Sequence, residues 1–201
     1  MIYPPSDVNK LCPLYASHNV MTKSLVVTVV GADRPGLVSL LSDRAKGFGA
    51  NWAASRMASL AGQFAGMVHF EVPVENVESL ATALRGLESS GLRVVIATSD
   101  ATTPVAVDQR RVKLELVGQD RPGIVRDLST SLANFGVSIQ ELHTEIVSAA
   151  MSAEHLFKVK ALLVVPDALD NDTLQMGLET LANELMVDIV LDDHAAGALP
   201  L

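Results

Sequence analysis

The chain has 201 residues and a formal net charge of −8, and 49% of its residues are hydrophobic but only 4% are aromatic. The excess of acidic residues disfavours direct binding to DNA or RNA, because affinity for phosphates requires clustered Lys and Arg. No apolar run approaches the roughly 18 residues of a membrane-spanning helix. The length suits one medium domain or two small ones with an aliphatic core.

The N-terminal stretch gives no targeting signal. Residues 1–20 have no basic lead followed by an apolar run, and they lack the Arg typical of a transit peptide. Met21 stands directly before the first regular segment and is an alternative start, so we expect residues 1–22 to be a mobile extension. Cys12 is the only cysteine, which excludes a disulfide within one chain and favours a reducing, cytoplasmic location.

A duplicated passage organises the rest of the chain. Val30–Gly49 matches Val117–Gly136 at a constant offset of 87, and eleven of the twenty positions are identical. The longest identical part within it is the Asp-Arg-Pro-Gly turn, at positions 33–36 and again at 120–123. Identity at this level indicates two copies of one structural unit.

The first half of each copy is a strand, the turn and a helix. Leu25–Val30 and Val112–Val117 have strand length, and apolar residues at helical spacing follow each turn. We expect the turn Asp to be the helix N-cap and the turn Pro to lie in the first helical turn. Gly49 and Gly136 are then natural ends of these helices.

The second half of each copy is a hairpin, a helix and a last strand. In the first copy, Asn51–Leu60 and Gln63–Pro73 form a hairpin around Ala61 and Gly62. The second helices carry apolar residues at helical spacing: Val77, Leu80, Leu84 and Leu87, then Leu174, Leu178, Leu181 and Leu185. The last strands are Leu92–Thr98 and Val187–Leu191.

The order βαββαβ predicts an α+β fold of two tandem ferredoxin-like units, each a four-stranded antiparallel sheet with two helices on one face. The predicted divisions are an extension at 1–22, domains at 23–99 and 111–193, a linker at 100–110 and a tail at 194–201. Pro73 and Pro166 correspond at an offset of 93, so the second hairpin is six residues longer, near Ser148–Glu154. This insertion is either drift at a loop tip or a lid or partner-contact segment.

The turn has two features that suit a small anion. The first backbone N–H groups of a helix have no partner within it, and the helix dipole adds partial positive charge, so a carboxylate is stabilised there. Gly36 and Gly123 have no Cβ, which lets a small ligand approach the main chain. A turn of this kind also forms without a ligand, so a purely structural role stays open.

The turn and its setting resemble a known family. The stretches "VVGADRPGLV" and "VGQDRPGIV" inside βαββαβ units are similar to the ACT domain, an amino-acid-sensing module of many metabolic enzymes. Two tandem copies with little else, with "SRMASLAGQFAGM" and "LHTEIVSAAMSAEHLF" in their hairpins, resemble more narrowly the glycine cleavage system transcriptional repressors. The resemblance covers about Lys23 to Asp193.

The resemblance implies where a ligand binds. In ACT domains a ligand lies where the turn after the first strand faces the second strand of a neighbouring domain, with the two domains side by side and their sheets continued. The candidate contacts carried over from the turns are Asp33, Pro35, Gly36, Leu37, Asp120, Pro122, Gly123 and Ile124. Those carried over from the second strands are Asn51, Ser55, Ser138 and Glu141.

The turn Asp departs from the family pattern, because several amino-acid-binding ACT domains place Asn at the positions of Asp33 and Asp120. If these carboxylates cap the helices, they are satisfied. If they point into the site, they repel the carboxylate of an amino acid and attract its ammonium group.

Other polar residues predict neither catalysis nor a cofactor. His69 and Glu71 share one strand, and alternation puts Glu141, His143 and Glu145 on one face of another. We interpret these residues as a solvated or dimer-facing strip rather than a metal site. No nucleophile elbow, phosphate loop or Cys–His pattern is found.

Three functions remain open. The first is a non-enzymatic sensor that binds a small amino acid, with glycine suggested by the resemblance, and acts through protein contact on a transcriptional activator. The second is a detached regulatory subunit of an enzyme of amino-acid or one-carbon metabolism. The third is an assembly module with empty sites that forms a homodimer through exposed strand edges.

Overall fold

The computed structural model of the chain describes residues 21–99, 110–148 and 155–192. The chain divides into two compact units between residues 104 and 105. Each unit has the predicted element order βαββαβ. The predicted extension and C-terminal tail, the linker at 100–110 and the longer hairpin near Ser148–Glu154 lie almost wholly outside the described residues.

Unit 1 is a single antiparallel sheet with two helices. Its elements are β1 Thr22–Ala32, α1 Leu37–Lys46, β2 Asn51–Leu60, β3 Gln63–Pro73, α2 Val77–Arg85 and β4 Leu92–Ser99. The strand order is β2-β3-β1-β4. The predicted hairpin between β2 and β3 is confirmed, and Ala61 and Gly62 form its turn with φ of 49° and 76°, as a two-residue hairpin turn requires.

Unit 2 repeats this architecture. Its elements are β5 Arg110–Gln119, α3 Ile124–Asn134, β6 Ser138–Ser148, β7 His155–Val165, α4 Asn171–Leu185 and β8 Val187–Asp192. The strand order is β6-β7-β5-β8, again with antiparallel pairs. The strand β5 begins at Arg110, one residue before the predicted domain boundary. None of the helices in the described ranges has the length and apolar character needed to cross a membrane.

The core of unit 1 lies between its sheet and both helices. Alternate residues of β1, among them Leu25 and Val27, are fully buried and belong to one cluster with Leu41 of α1 and Leu80 of α2. Both helices therefore cover the same side of the sheet. Leu87, which we expected in α2, is buried in a 3₁₀ turn, Gly86–Ser90, that follows the helix.

The other side of each sheet carries no helix. We call it the helix-free face of unit 1 (β1–β4) or of unit 2 (β5–β8). The duplicated turns lie at the end of each sheet where β1 and β5 finish. The start of β4 or β8 is at the same end, and so is the hairpin turn of unit 1.

Candidate functional site

Each duplicated turn enters its helix through a glycine in the left-handed conformation. Gly36 is the N-cap of α1 with φ 91° and ψ 0°, and Gly123 is the N-cap of α3 with φ 101° and ψ −12°. The first helical hydrogen bonds run from Leu40 N–H to the Gly36 carbonyl and from Asp127 N–H to the Gly123 carbonyl, each 2.9 Å long. The N–H groups of the first three residues in each helix therefore precede the first intrahelical bond.

The prediction that the turn Asp caps the helix and that the turn Pro lies in its first turn is wrong. The N-cap is the glycine three residues after the Asp, and no side chain caps either helix. A positive φ at the point of entry requires glycine there, so Asp and Pro fall before the helix. The Asp residues are held through their main chain: Asp33 N–H donates to the Gly62 carbonyl and Asp120 N–H to the His155 carbonyl, both at 3.0 Å.

The side chains of the turn residues are exposed, except those that begin the helices. Leu37 is only 3% exposed and Ile124 only 2%, because both belong to their hydrophobic cores. The side chains of these two residues are therefore not available to a ligand. Within residues 21–99 and 110–148, no side-chain hydrogen bond is found for Asp33 or Asp120, which leaves their exposed carboxylates accessible to a cation.

The surroundings of the two glycines differ. A Cβ on Gly36 would meet no atom within 4 Å, whereas one on Gly123 would lie 3.6 Å from Asp127 Oδ2. The residue of unit 1 that corresponds to Asp127 is the uncharged Leu40. Arg126 donates to Asp127 Oδ1 through Nε at 2.9 Å and Nη2 at 2.7 Å. In unit 1, the space beside Gly36 is open and the nearby Leu40 carries no charge. In unit 2, the Asp127 carboxylate, paired with Arg126, lies beside Gly123.

A contact of Arg34 is a feature that the sequence analysis missed. Its Nη2 donates to the Ser90 carbonyl at 2.8 Å, which joins the turn of unit 1 to the connection between α2 and β4. The only sequence signal was the identity of Arg34 and Arg121 in the repeat, because the contact spans 56 residues. No corresponding hydrogen bond of Arg121 is found in the part of unit 2 that the structure describes.

The turn and the second-strand candidates of one unit lie at different places on the sheet. Asn51 pairs with Glu71, which pairs with Ser24 near the start of β1, whereas Asp33 follows the end of β1 at Ala32. Eight residues of strand separate the two places by about 26 Å. The turn and the second-strand candidates of one unit therefore cannot contact the same small ligand. Asn51 itself donates from Nδ2 to Glu71 Oε2 at 3.2 Å.

Two of the predicted second-strand contacts lie on opposite faces, because Glu141 corresponds to Ala54 of unit 1 and not to Ser55. The register of β2 and of β6 shifts at corresponding places, residues 53 and 140. Ser55 pairs with Val68 on the helix-covered side, while Glu141 pairs with Leu162 on the helix-free face. These two residues are not equivalent and cannot serve the same part of two matching sites. Ser138, at the start of β6, is exposed and does correspond to Asn51.

The polar residues predicted to share one face of β6 do so. Glu141, His143 and Glu145 pair with alternate residues of β7 on the helix-free face of unit 2. In unit 1, His69 Nε2 lies 2.9 Å from Ser24 Oγ. Among the residues that the structure describes, no group of three His, Cys, Asp or Glu is placed to hold a metal ion.

A surface groove of unit 2 does not include the turn residues. It is an open groove of about 660 Å³ between α3 and α4, lined mostly by polar side chains such as Thr130, Asn134 and Glu184. It contains none of the predicted contacts, and its open shape does not enclose a ligand. The groove therefore does not coincide with the predicted ligand site.

Comparison with known proteins supports the fold described above. The ACT domain family profile matches residues 23–96. The crystal structure of an unknown protein from Galdieria sulphuraria is 31% identical, with a TM-score of 0.76, and the match covers 87% of this chain and all of that one. The structure of a candidate glycine cleavage system transcriptional repressor is 20% identical, with a TM-score of 0.63, over 86% of this chain and 97% of that one. No curated protein matches the chain.

Proposed function

Because the chain belongs to the ACT-domain family, with two tandem units, we propose that it is a non-enzymatic regulatory protein that binds a small amino acid such as glycine. The observation that carries the proposal is the duplicated entry into α1 and α3 through a left-handed glycine, which leaves the first main-chain N–H groups without a side-chain cap. These groups and the helix dipole stabilise a carboxylate without a dedicated Arg.

The proposed ligand is small and zwitterionic. Its carboxylate accepts hydrogen bonds from the N–H groups at the start of α1, beside the open space over Gly36. Its ammonium group is attracted by the exposed carboxylate of Asp33, which does not cap the helix. A bulky side chain is not required, because the buried Leu37 offers no apolar pocket at this position. Glycine satisfies these conditions.

We further propose that unit 1 binds the amino acid more tightly than unit 2. The Asp127 carboxylate, which is paired with Arg126, lies beside Gly123 and competes with an incoming anion for the nearby positive charge, whereas Leu40 at the corresponding position of unit 1 carries no charge. The Arg34 contact with Ser90 also restricts the turn of unit 1 before any ligand arrives, which reduces the entropy that binding must remove.

The proposed output is contact with a transcriptional activator. The likeness to a candidate glycine cleavage system transcriptional repressor supports this partner class, and the net charge of −8 is unsuited to direct binding of nucleic acid. A bound amino acid changes such an equilibrium only if it binds the partner-competent state with a different affinity. A capture experiment with and without glycine distinguishes this partner from the alternative. If it recovers a metabolic enzyme instead of an activator, the protein is a detached regulatory subunit.

Titration calorimetry with glycine, acetate and methylamine tests the ligand. We expect glycine to bind with a Kd below about 1 mM, equivalent to about −4 kcal/mol. Acetate alone should bind more weakly at the same place, because it lacks the ammonium group that Asp33 attracts, and methylamine should bind weakest. If neither glycine nor any other amino acid binds below the millimolar range, the sensor proposal fails.

The variant Gly36→Ala, with Gly49→Ala as matched control, tests the turn itself. Both glycines flank α1 with positive φ, 91° and 67°, so both substitutions impose a similar backbone cost of about 1–2 kcal/mol. Only Gly36 lies at the turn, and its new Cβ would occupy the space over the N–H donors. We expect Gly36→Ala to weaken glycine binding at least tenfold and Gly49→Ala to leave it unchanged. Equal affinities in the two variants would contradict the turn-centred site.

A further inference from the structure

The helix-free faces of the two units have different chemistry. On unit 2 this face is charged, and oppositely charged residues pair across strands, as Glu145 with Lys158 and Glu115 with Lys160. Such pairs stabilise a sheet surface that faces water. On unit 1 the same positions are mostly uncharged. The centre of that face consists of Val26, Thr28, Val30, Met67, Val95 and Ala97.

The central residues of the unit 1 face are accessible. Met67 is 52% exposed and Val95 is 62% exposed, and Val30 is also exposed. The charges of the face stand at its margins: Arg56 on the edge strand β2, Arg93 on the edge strand β4, and Glu71 at one end of β3. An apolar centre with charged residues at the rim is the usual arrangement of a protein–protein interface.

The size of the face fits a dimer contact. Four strands spaced about 4.8 Å apart, with about nine residues rising about 3.3 Å each, give a surface of roughly 600 Å². Two such surfaces bury about 1,200 Å² in total, which is the lower limit of stable, specific interfaces. The apolar centre occupies part of this area, and an exposed apolar patch of a few hundred Å² is often an interaction site.

We propose that the helix-free face of unit 1 binds the same face of a second copy of this chain, related by a two-fold axis that is nearly, but not strictly, parallel to β1. Such an axis, passing between β1 and β3, places β3 over β1 and β2 over β4. Arg56, Met67, Thr28 and Val95 form one row across the sheet, so Met67 of one copy faces Thr28 of the second and the stem of Arg56 faces Val95.

The register also shows why a second copy is a suitable occupant. In the next row, Arg93 faces Ala58 of the second copy, because Ala58, Ala65, Val30 and Arg93 are paired across the four strands. No two like charges meet in this arrangement. Each central residue faces a small or apolar one except Val26, which faces His69 of the second copy. Aligned sheets packed face to face at about 10 Å, with a rotation near 30°, preserve these pairings at the centre. This inference does not depend on amino-acid binding.

Sedimentation velocity of the full chain, with the variants Val95→Lys and Val190→Lys, tests the proposal. Val95 and Val190 occupy the same place in their units and are each 62% exposed, and they pair with Thr28 and Glu115 respectively. We expect the unsubstituted chain to sediment at about twice its mass of 21.3 kDa. Val95→Lys should weaken dimerisation at least tenfold, because the new charge faces Arg56 of the second copy, while Val190→Lys should leave it unchanged.

Oxidation by dilute peroxide gives a second measurement that does not depend on a variant. At dimeric concentrations Met67 should be oxidised more slowly than Met176, which is 65% exposed on α4, and the difference should shrink on dilution. A monomer at all concentrations, or a dimer that Val95→Lys does not weaken, would overturn the proposal. Protection of Met67 in a monomer would also overturn it, since the occupant would then belong to the same chain.

Discussion

The two duplicated turns have the same main chain but different neighbours. Gly36 and Gly123 share a left-handed conformation and a first helical bond of 2.9 Å, and the preceding Asp is held by a bond to the hairpin in both units. Beside this common frame, unit 1 has Leu40 and the Arg34 tether, whereas unit 2 has Asp127. Backbone geometry can thus be duplicated while the electrostatics of the site diverge, so equal turns do not imply equal affinities.

A related difference at the same end of the sheets has the largest expected effect on stability. The residue before the last strand is Gly91 in unit 1, with φ 80°, and Met186 in unit 2, with φ 52°. Met186 is 80% exposed, so its side chain contributes little packing. We expect Met186→Gly to stabilise unit 2 by about 1 kcal/mol and Gly91→Ala to destabilise unit 1 by about the same amount.

Hydrogen exchange, measured separately on β1–β4 and β5–β8, reports the opening of each unit. It therefore shows whether Met186→Gly stabilises unit 2 and whether Gly91→Ala destabilises unit 1. Trp52, the only tryptophan, packs edge-on against Phe70 at 5.2 Å and gives a second signal for unit 1. Destabilisation of unit 2 by Met186→Gly would show that the exposed methionine has an interaction that outweighs the backbone cost.

A smaller effect is expected from neutralising the carboxylate beside Gly123. Asp127→Asn should raise the affinity of the unit 2 turn for glycine or acetate by about two- to fivefold, equivalent to about 0.3–1 kcal/mol. The matched control is Asp172→Asn, which removes a carboxylate from the first turn of α4 without changing the duplicated turn. Both affinities are measured by calorimetry. If Asp127→Asn leaves the affinity unchanged or lowers it, the charge of Asp127 does not explain a difference between the units.

The smallest expected effect is a dependence of unit 2 on pH. The backbone N–H of Thr173, followed by its hydroxyl, donates to the Asp170 carboxylate at the start of α4 and lowers the pKa of that carboxyl. A lowered pKa stabilises the fold above the ordinary pKa of Asp, and this contribution disappears as the pH falls through the folded value. In unit 1, α2 has no side-chain cap.

We therefore expect acid to weaken protection from exchange in α4 more than in α2, and Asp170→Ala to remove this additional sensitivity. Asp167→Ala, which changes an exposed carboxylate that caps no helix, is the control. An equal response of α2 and α4 to acid would contradict the assignment.

The sequence predicted the fold well because the apolar patterns and the repeat acted together. The hairpin Asn51–Leu60 and Gln63–Pro73 is confirmed to the residue, since Ala61 and Gly62 are followed by strict alternation of buried residues in β3. The start of α1 was less predictable. Asp-Arg-Pro-Gly fits either a cap by Asp or an entry through a left-handed glycine, and local propensity does not choose between them.

The site was less accessible to sequence reasoning because it depends on register and distance. The bulges at residues 53 and 140 invert the alternation that would otherwise assign Ser55 and Glu141 to faces, and a single extra residue moves every later side chain to the other side. The contact between Arg34 and Ser90 requires two segments to meet that are 56 residues apart. Neither feature leaves a periodic trace in the sequence.

The central claim is that the first main-chain N–H groups of α1 bind the carboxylate of an amino acid. Titration of ¹⁵N-labelled protein with glycine, followed by amide chemical shifts, tests it most directly. We expect the largest shifts at Leu37, Val38 and Ser39, and smaller shifts at Ile124 and Val125, with the same order for acetate. Unchanged amides at Leu37–Ser39 in the presence of saturating glycine would contradict the account.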